Sequence, residues 1–406
     1  MRGKKPKVIV LVMLVGLFAL TMVVGCGGTT TTSTAASVTT PTTAGSTGST
    51  TADTTQADQV AAEIAQATKL LEQVSGPNGS FQSPPTSGPK STPGKKIYNV
   101  SYGEAIPYFH AATVGIEEAC KALGWECTTW DGKFEVNQWL AGIRQAITAK
   151  ADGIITQGFD ASYVKAGLEE AKAAGIPVIN FEGFDEDLIT PGAEPLFTWT
   201  VTYVNGDLKQ WDEIAGRFDA AYGVIYWKGD VRALAFMQSD AYTMRAYTDG
   251  FVAELANYPT AKLLGTVSFL GTDYGPALQQ KADQAALQYP ETNTFHTGAD
   301  SPIAAGVVSA VRSVKDSIVL GLEGDETTYP AMYEEGIYPM WLNVVPGWEG
   351  YAACDALVRI MAGEKPTTET GIGYRLVDKD TNITGYKPYV GPIDYASAYK
   401  KVWGVQ

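Results

Sequence analysis

Four short runs decide the fold: Ile97-Tyr-Asn-Val-Ser-Tyr102, Trp125-Glu-Cys-Thr-Thr-Trp130, Gly153-Ile-Ile-Thr-Gln157 and Gly175-Ile-Pro-Val-Ile-Asn-Phe181. Between them lie stretches of helical length at about 109–123, 134–149 and 161–174, the first ending at Gly124. Strands that alternate with helices in this way read as βαβ units feeding a parallel sheet. Ligands of such sheets bind beyond the carboxyl ends of the strands. Those ends carry Tyr102 and Glu104, Trp130 and Asp131, Gln157 and Asp160, and Phe181 and Glu182. Aromatic and carboxylate groups recur there, so function is sought there.

The alternation starts again further along. Strands are expected at 231–237, 262–269, 294–296, 318–322 and 340–345, with helices at about 208–222, 242–258, 276–289, 303–314 and 329–335, and a last long helix at 348–361. The body therefore reads as two successive α/β halves of comparable size, each a doubly wound parallel sheet. The architecture is duplicated without a clear residue-level repeat.

Before the body the composition changes three times. Arg2, Lys4, Lys5 and Lys7 precede an apolar run from Val8 to Leu20, and Gly25 stands directly before Cys26. A basic start, a short apolar core and small residues at a cleavage point make a secretory signal over 1–25; an uncleaved membrane anchor is the alternative, since the run is near the lower limit for spanning. Residues 26–57 are mostly Thr, Ser, Ala and Gly and should be a flexible tether. In 58–75, Val60, Ile64, Ala67, Leu71 and Val74 form one apolar stripe on a helix, which reads as packed on the body or as a short stalk. Residues 76–96, rich in Pro, Gly, Ser and Thr, read as a second linker.

The formal net charge is −14, and cleavage after Gly25 would remove four basic groups and no acidic one. So acidic a chain is a poor partner for nucleic acid, whose phosphates want clustered Lys and Arg. The two histidines, His110 and His296, are far apart in sequence, which makes a His-based triad or multi-His metal site hard to build. Besides Cys26 there are Cys120, Cys127 and Cys354, with no Cys-x-x-Cys pair. Cys120 and Cys127 could bond in an oxidising compartment or remain two small buried residues; the sequence leaves both open. Neither a cofactor nor a metal is expected.

Several motifs, in order, resemble the type I periplasmic binding proteins, the ribose- and galactose-binding group. They are Pro107-Tyr108-Phe109 after the first strand, Gly175-Ile-Pro-Val-Ile179, Arg245 followed by Asp249-Gly250-Phe251, Gly321-Leu-Glu323-Gly324, and Ala362-Gly-Glu-Lys-Pro366. Together they cover most of residues 95–375. The resemblance implies two lobes joined by a three-strand hinge: 97–203 plus 346–374, and 204–345 plus 375–406. It also implies a ligand cleft that closes about the hinge, and docking of the closed form on a membrane permease. The small residue before Cys26 resembles the bacterial lipobox, which implies a lipid on Cys26 and an extracytoplasmic, membrane-anchored monomer.

A sugar offers hydroxyls and apolar C–H faces, so its site needs carboxylates, amides or Arg beside flat aromatic rings. The resemblance and the strand-end positions together nominate Tyr108, Phe109, Gln157, Glu182, Arg245, Asp300, Glu323 and Asn343, with Arg245 as the expected ligand fork. Asp160 reads as a helix N-cap. Trp130, Trp139, Tyr242, Tyr274 and Trp348 could add walls or pack elsewhere. The sequence departs from the family at Ala105 and Ile106, where asparagines are common, and at Gly183, where sugar binders usually carry Arg. With several carboxylates against one Arg, anionic ligands are disfavoured. A neutral sugar or polyol fits, and so does an amine-bearing ligand. A nucleoside, an amino acid or a sensed signalling molecule stays open. An extracytoplasmic hydrolase built on paired carboxylates is the remaining alternative; neither a Gly-x-Ser-x-Gly turn nor a phosphate loop occurs.

Overall fold

The computed structural model describes residues 49–185, 194–204, 206–383 and 391–405, with side chains from Thr55 onward. The expected signal segment, most of the tether, and Cys26 lie outside the described residues. Two parallel sheets form, one per lobe. The first is built from β1 (Lys96–Ser101), β2 (Glu126–Asp131), β3 (Gly153–Gln157), β4 (Val178–Phe181) and β5 (Trp199–Thr200), in the order β2-β1-β3-β4-β5. The second is built from β6 (Arg232–Gln238), β7 (Lys262–Phe269), β8 (Thr294–His296), β9 (Ile318–Glu323), β10 (Met340–Asn343) and β11 (Arg375–Asp378), in the order β11-β10-β9-β8-β6-β7. Read from β7, the second sheet winds as the first does, and β11 adds an antiparallel edge. Each sheet reverses its winding beside its first strand, which opens a crevice at the carboxyl ends.

The helices behind the strands are α1 (Ser49–Ser75), α2 (Pro107–Leu123), α3 (Val136–Thr148), α4 (Ala161–Ala173), α5 (Leu208–Tyr226), α6 (Tyr242–Leu255), α7 (Pro276–Gln288), α8 (Asp300–Pro302), α9 (Val308–Ser313), α10 (Pro346–Met361) and α11 (Tyr395–Trp403). α2 starts with Pro107, whose missing N–H costs nothing in a first turn, and stops at Gly124 with φ 68°. β3 is buried along its whole length, which is why it reads as an apolar run without alternation. α2 and α10 approach closely: a Cβ on Gly115 would lie 2.5 Å from the backbone of Gly347. The segment read as one helix over 303–314 is interrupted by a wide turn at Ile303–Val307, between α8 and α9.

The chain passes between lobes after β5, between Asn343 and Pro346, and along Thr370–Arg375. Val204 N donates to Ile372 O at 2.9 Å, and Thr370 Oγ1 to Thr202 O at 2.5 Å, so two of these crossings brace each other.

Two assignments from the sequence need correction. The segment 76–96 is no free linker. Ser80 N donates to Tyr374 O at 2.8 Å and Gln82 N to Gly371 O at 3.0 Å, which lays the segment along the third crossing. Phe81 is buried and stacks on Trp348 at 5.4 Å, and Arg359 Nη2 reaches Ser87 O at 2.7 Å. α1 begins earlier than expected, and its stripe of Ala67, Leu71 and Val74 is buried on the body. Its Glu63 accepts from Thr260 Oγ1, and Val60 faces Gly229, so it rests on the turns that precede β6 and β7. The second correction concerns the C-terminus. α11 does not join the second lobe; Trp403 stacks on Tyr351 at 5.7 Å and its Nε1 donates to Asp355 at 2.8 Å, both on α10 of the first lobe. Apolar residues at Tyr399, Val402 and Trp403 share one helix face, and that face follows the partner surface rather than the order of the chain.

Cys120 and Cys127 are joined by a disulfide, with Cα atoms 6.2 Å apart, and Cys354 is buried and free. No described helix is long and apolar enough to cross a membrane.

Candidate functional site

The two sheets point their carboxyl ends at each other, and a cavity lies between them. At most about 580 Å³ of free space separates its walls, room on the scale of a small molecule. The first lobe contributes Tyr102 from the end of β1, Tyr108 and Phe109 from the first turn of α2, and Glu182 from the end of β4. The second contributes Gln238 after β6, Met244 and Tyr247 on α6, Tyr274, Ser301, and Glu323 at the end of β9. Phe109 and Tyr102 meet at 5.3 Å and form a continuous aromatic wall.

The lobes touch around this cavity. The Tyr242 ring lies flat on Phe184, with centroids 3.6 Å apart and planes 7° apart. Tyr163 donates to Asp240 O at 2.8 Å. Asp160 accepts from Tyr242 N at 3.2 Å and from Phe184 N at 2.8 Å. Asp160 thus occupies the N-cap position of α4 without capping it, and joins the lobes instead.

Glu182 has company that the sequence reading missed. Glu349, in the first turn of α10, is buried beside it. Tyr108 donates to Glu349 Oε2 at 2.6 Å and Tyr203 to Glu349 Oε1 at 2.9 Å, while both hydroxyls lie farther from Glu182 Oε1, at 3.3 and 3.4 Å. Each phenol has one proton to give, and the shorter contacts assign both to Glu349. Burial pushes the Glu182 carboxyl up to about 7. Burial, and then the Glu182 charge, holds Glu349 well above the usual carboxylate range. Asp212 on α5 is raised likewise, by burial first and then by Glu182. Two neighbouring carboxylates without a cation cannot both ionise cheaply, so the pair retains a proton.

Glu323 stands in a second acidic group. One oxygen from each of Glu323, Asp300 and Asp325 lies within 4.8 Å of the other two, and burial followed by those two charges raises Glu323 well above its usual range. Asp300 is fully engaged: Tyr338 donates to Oδ1 at 2.6 Å, and Thr328 and the Asp325 N–H donate to Oδ2 at 2.8 and 2.6 Å. That pattern ties down the turn after β9.

Of the nominated residues, Tyr108, Phe109, Glu182 and Glu323 face the cavity. The other four stand behind it. Gln157 donates to Asn99 Oδ1 at 2.7 Å and Thr113 Oγ1 at 3.0 Å under the floor. Asp300 braces the β9 turn. Asn343 donates to Val344 O at 3.2 Å and accepts from Arg375 Nη2 at 3.3 Å at the second crossing. Arg245, the expected ligand fork, donates to Ser239 O at 2.7 Å and lies 5.3 Å from the Tyr242 ring, so it supports the lobe contact rather than the wall. Among the other wall candidates, Tyr274 is present, whereas Trp139 stacks on Phe159 and Trp348 on Phe81 and Tyr395. Glu349 had one signal in the sequence: it follows β10 by a few residues, at a strand end.

A family model described as a periplasmic binding protein domain matches residues 97–365. The chain belongs to that family. Its members are extracytoplasmic binding proteins, and the two-lobe fold is theirs. No curated protein matches this binding protein. Among solved structures, it is similar to an ABC sugar transporter subunit from Rhodobacter sphaeroides, at 18% identity and TM-score 0.59, over 72% of this chain and 100% of that one. It is similar to a solute-binding protein from Burkholderia graminis in complex with D-arabinose, at 18% identity and TM-score 0.60, over 73% and 100%. A periplasmic solute-binding protein from Actinobacillus succinogenes with bound D-allose aligns at 17% identity and TM-score 0.60, over 71% and 98%. At these identities the likeness is one of fold.

Proposed function

We propose that this protein is the solute-binding component of an ABC importer and that it holds a small, sugar-like polyhydroxyl ligand between its lobes without transforming it. The observation that carries the reading is the cavity itself: aromatic rings for C–H faces, and carboxyl, amide and hydroxyl groups for hydroxyls, contributed by both lobes. A site divided in this way couples occupancy to hinge closure. The fold neighbours from Rhodobacter, Burkholderia and Actinobacillus support the choice of ligand class by the sugars named with them.

The rest of the reading concerns delivery. Cys26 is the lipid attachment point, and the Thr/Ser-rich stretch after it is the tether that confines a monomeric binder near its permease. The test is a thermal-shift screen over sugars and polyols, followed by small-angle scattering with the best binder. Stabilisation by at least one sugar or polyol, with a smaller radius of gyration, is the expected result. No shift across the screen would overturn the ligand class, and a shift without compaction would overturn the hinge.

A further inference from the structure

The cavity narrows the ligand further, within the reading just given. We propose that the ligand is a cation: a small hydroxylated molecule carrying a protonated amine, of the amino-sugar kind, whose charge is neutralised by Glu182 and Glu323. Three observations support it. First, the two lobes each present one buried carboxyl to the same cavity, and among the described residues no Lys, Arg or His lines it. The nearby guanidinium groups are engaged elsewhere, Arg245 with Ser239 O and Tyr242, and Arg375 with Asn343.

Second, the groups behind each carboxyl are carboxyls again. Glu349 and Asp212 back Glu182, and Asp300 and Asp325 back Glu323. A buried carboxyl with no counter-charge is held protonated, and a neutral sugar would leave it so. An ammonium favours the ionised carboxylate and donates charge-assisted hydrogen bonds to it.

Third, the remaining wall is aromatic. Tyr102, Phe109, Tyr247 and Tyr274 present π-faces and edges to the same space, and ring faces attract cations most strongly where water is excluded. That lining also disfavours a metal ion. Calcium asks for 6–8 oxygen ligands, whereas Asp300 has both oxygens hydrogen-bonded and the neighbouring walls are rings.

The experiment is titration calorimetry of the purified full chain with three matched pairs, glucosamine and glucose, galactosamine and galactose, mannosamine and mannose, and with calcium chloride alone. At least one amino sugar should bind about tenfold or more tightly than its neutral twin. Glu323→Gln should collapse that ratio to about threefold or less, because it costs the amino sugar more affinity than it costs the neutral twin. Glu182→Gln is the second variant, and both are checked for an undiminished Tm. Equal or tighter binding of the neutral twins overturns the cation and leaves the sugar-binding reading standing. Saturable binding of calcium at the same site, lost in Glu323→Gln, overturns it in favour of a metal. Binding by none of the six sugars overturns the amino-sugar proposal, and the sugar-binding reading then falls only if the wider screen of sugars and polyols is also silent.

Discussion

Glu182 and Glu323 are counterparts across the cleft: each stands at the carboxyl end of the fourth strand in the winding order of its sheet, each precedes a glycine, and each has a left-handed backbone, with φ of 54° and 89°. Left-handed backbone is uncommon for residues other than glycine and is found where the surrounding structure dictates it. The duplicated fold has placed the same unusual feature at the same point of both lobes, with both side chains turned into one cavity. The duplication is invisible in residue identity, because it resides in the order of the strands.

The acidity of the cleft has a consequence for stability. Glu182 faces Tyr108 from α2, Tyr203 from the first crossing, Trp211 and Asp212 from α5, Glu349 from α10, and Tyr374 and Tyr247 beyond them. None of these brings a positive charge. Its carboxyl is raised from 4.5 to about 7, so the folded state holds a proton that the unfolded state releases. Stability from this group is therefore fully present below about pH 4.5 and is lost as pH rises through about 7. The full loss is on the order of 3 kcal/mol, and less where the pair with Glu349 shares the proton. Urea unfolding at pH 5 and pH 8 measures it. Glu182→Gln should flatten the dependence and raise stability at pH 8.

Lobe contact without ligand should depend on Tyr242. Its ring covers Phe184, and Arg245 lies over its other surroundings. Tyr242→Ala should enlarge the radius of gyration of the unliganded protein and leave Tm nearly unchanged, because the residue is half-buried at a lobe contact and not in a core. Arg245→Ala should act through the same ring, with a smaller effect of about 0.5–1 kcal/mol on the closed state. A double-mutant cycle read by scattering and calorimetry separates the two. Independent effects would mean that Arg245 does not act through the Tyr242 ring.

The fold was legible because parallel strands buried on both faces leave unmistakable apolar runs: β3 and β4 stand out as Gly153–Gln157 and Val178–Phe181. The strand-end rule then located Glu182 and Glu323. What escaped was set by contacts between distant segments. Glu349 is acidic in the first turn of a helix, as many surface residues are, and only the approach of α10 to α2 buries it. Arg245 looked like a ligand fork because its helix resembles the family's, but Ser239 O lies within its reach. Residues 76–96 have the composition of a linker, yet Phe81 stacks on Trp348 and the backbone at Ser80 and Gln82 bonds to the third crossing. Composition describes how a segment behaves when nothing packs on it, and here something does.

The anchoring of that segment can be measured. Phe81 is 5% exposed, and its ring stacks on Trp348 beside the third crossing. Phe81→Ala should cost about 3–5 kcal/mol, the range for truncating a large buried aromatic residue. Chemical denaturation of the full chain is the measurement. A change under about 1 kcal/mol would mean that the segment detaches freely and that its bonds to Tyr374 and Gly371 contribute little.

The disulfide offers a last test, of the compartment as much as of the fold. Cys120 and Cys127 are 7 residues apart, joining the end of α2 to β2. Closing so short a loop removes little entropy from the unfolded chain, and the loop-length relation gives about 2 kcal/mol. The double variant Cys120→Ser, Cys127→Ser should therefore lose about that much stability while remaining folded and able to bind. Wild-type protein should lose the same amount in reductant, and the variant should be indifferent to it. Free-thiol titration under denaturing conditions completes the argument: oxidised protein matured outside the cytoplasm should show the Cys354 thiol but not those of Cys120 and Cys127. Reactive thiols at both positions in such protein would mean that the bond does not form, and the stability difference should then vanish with it.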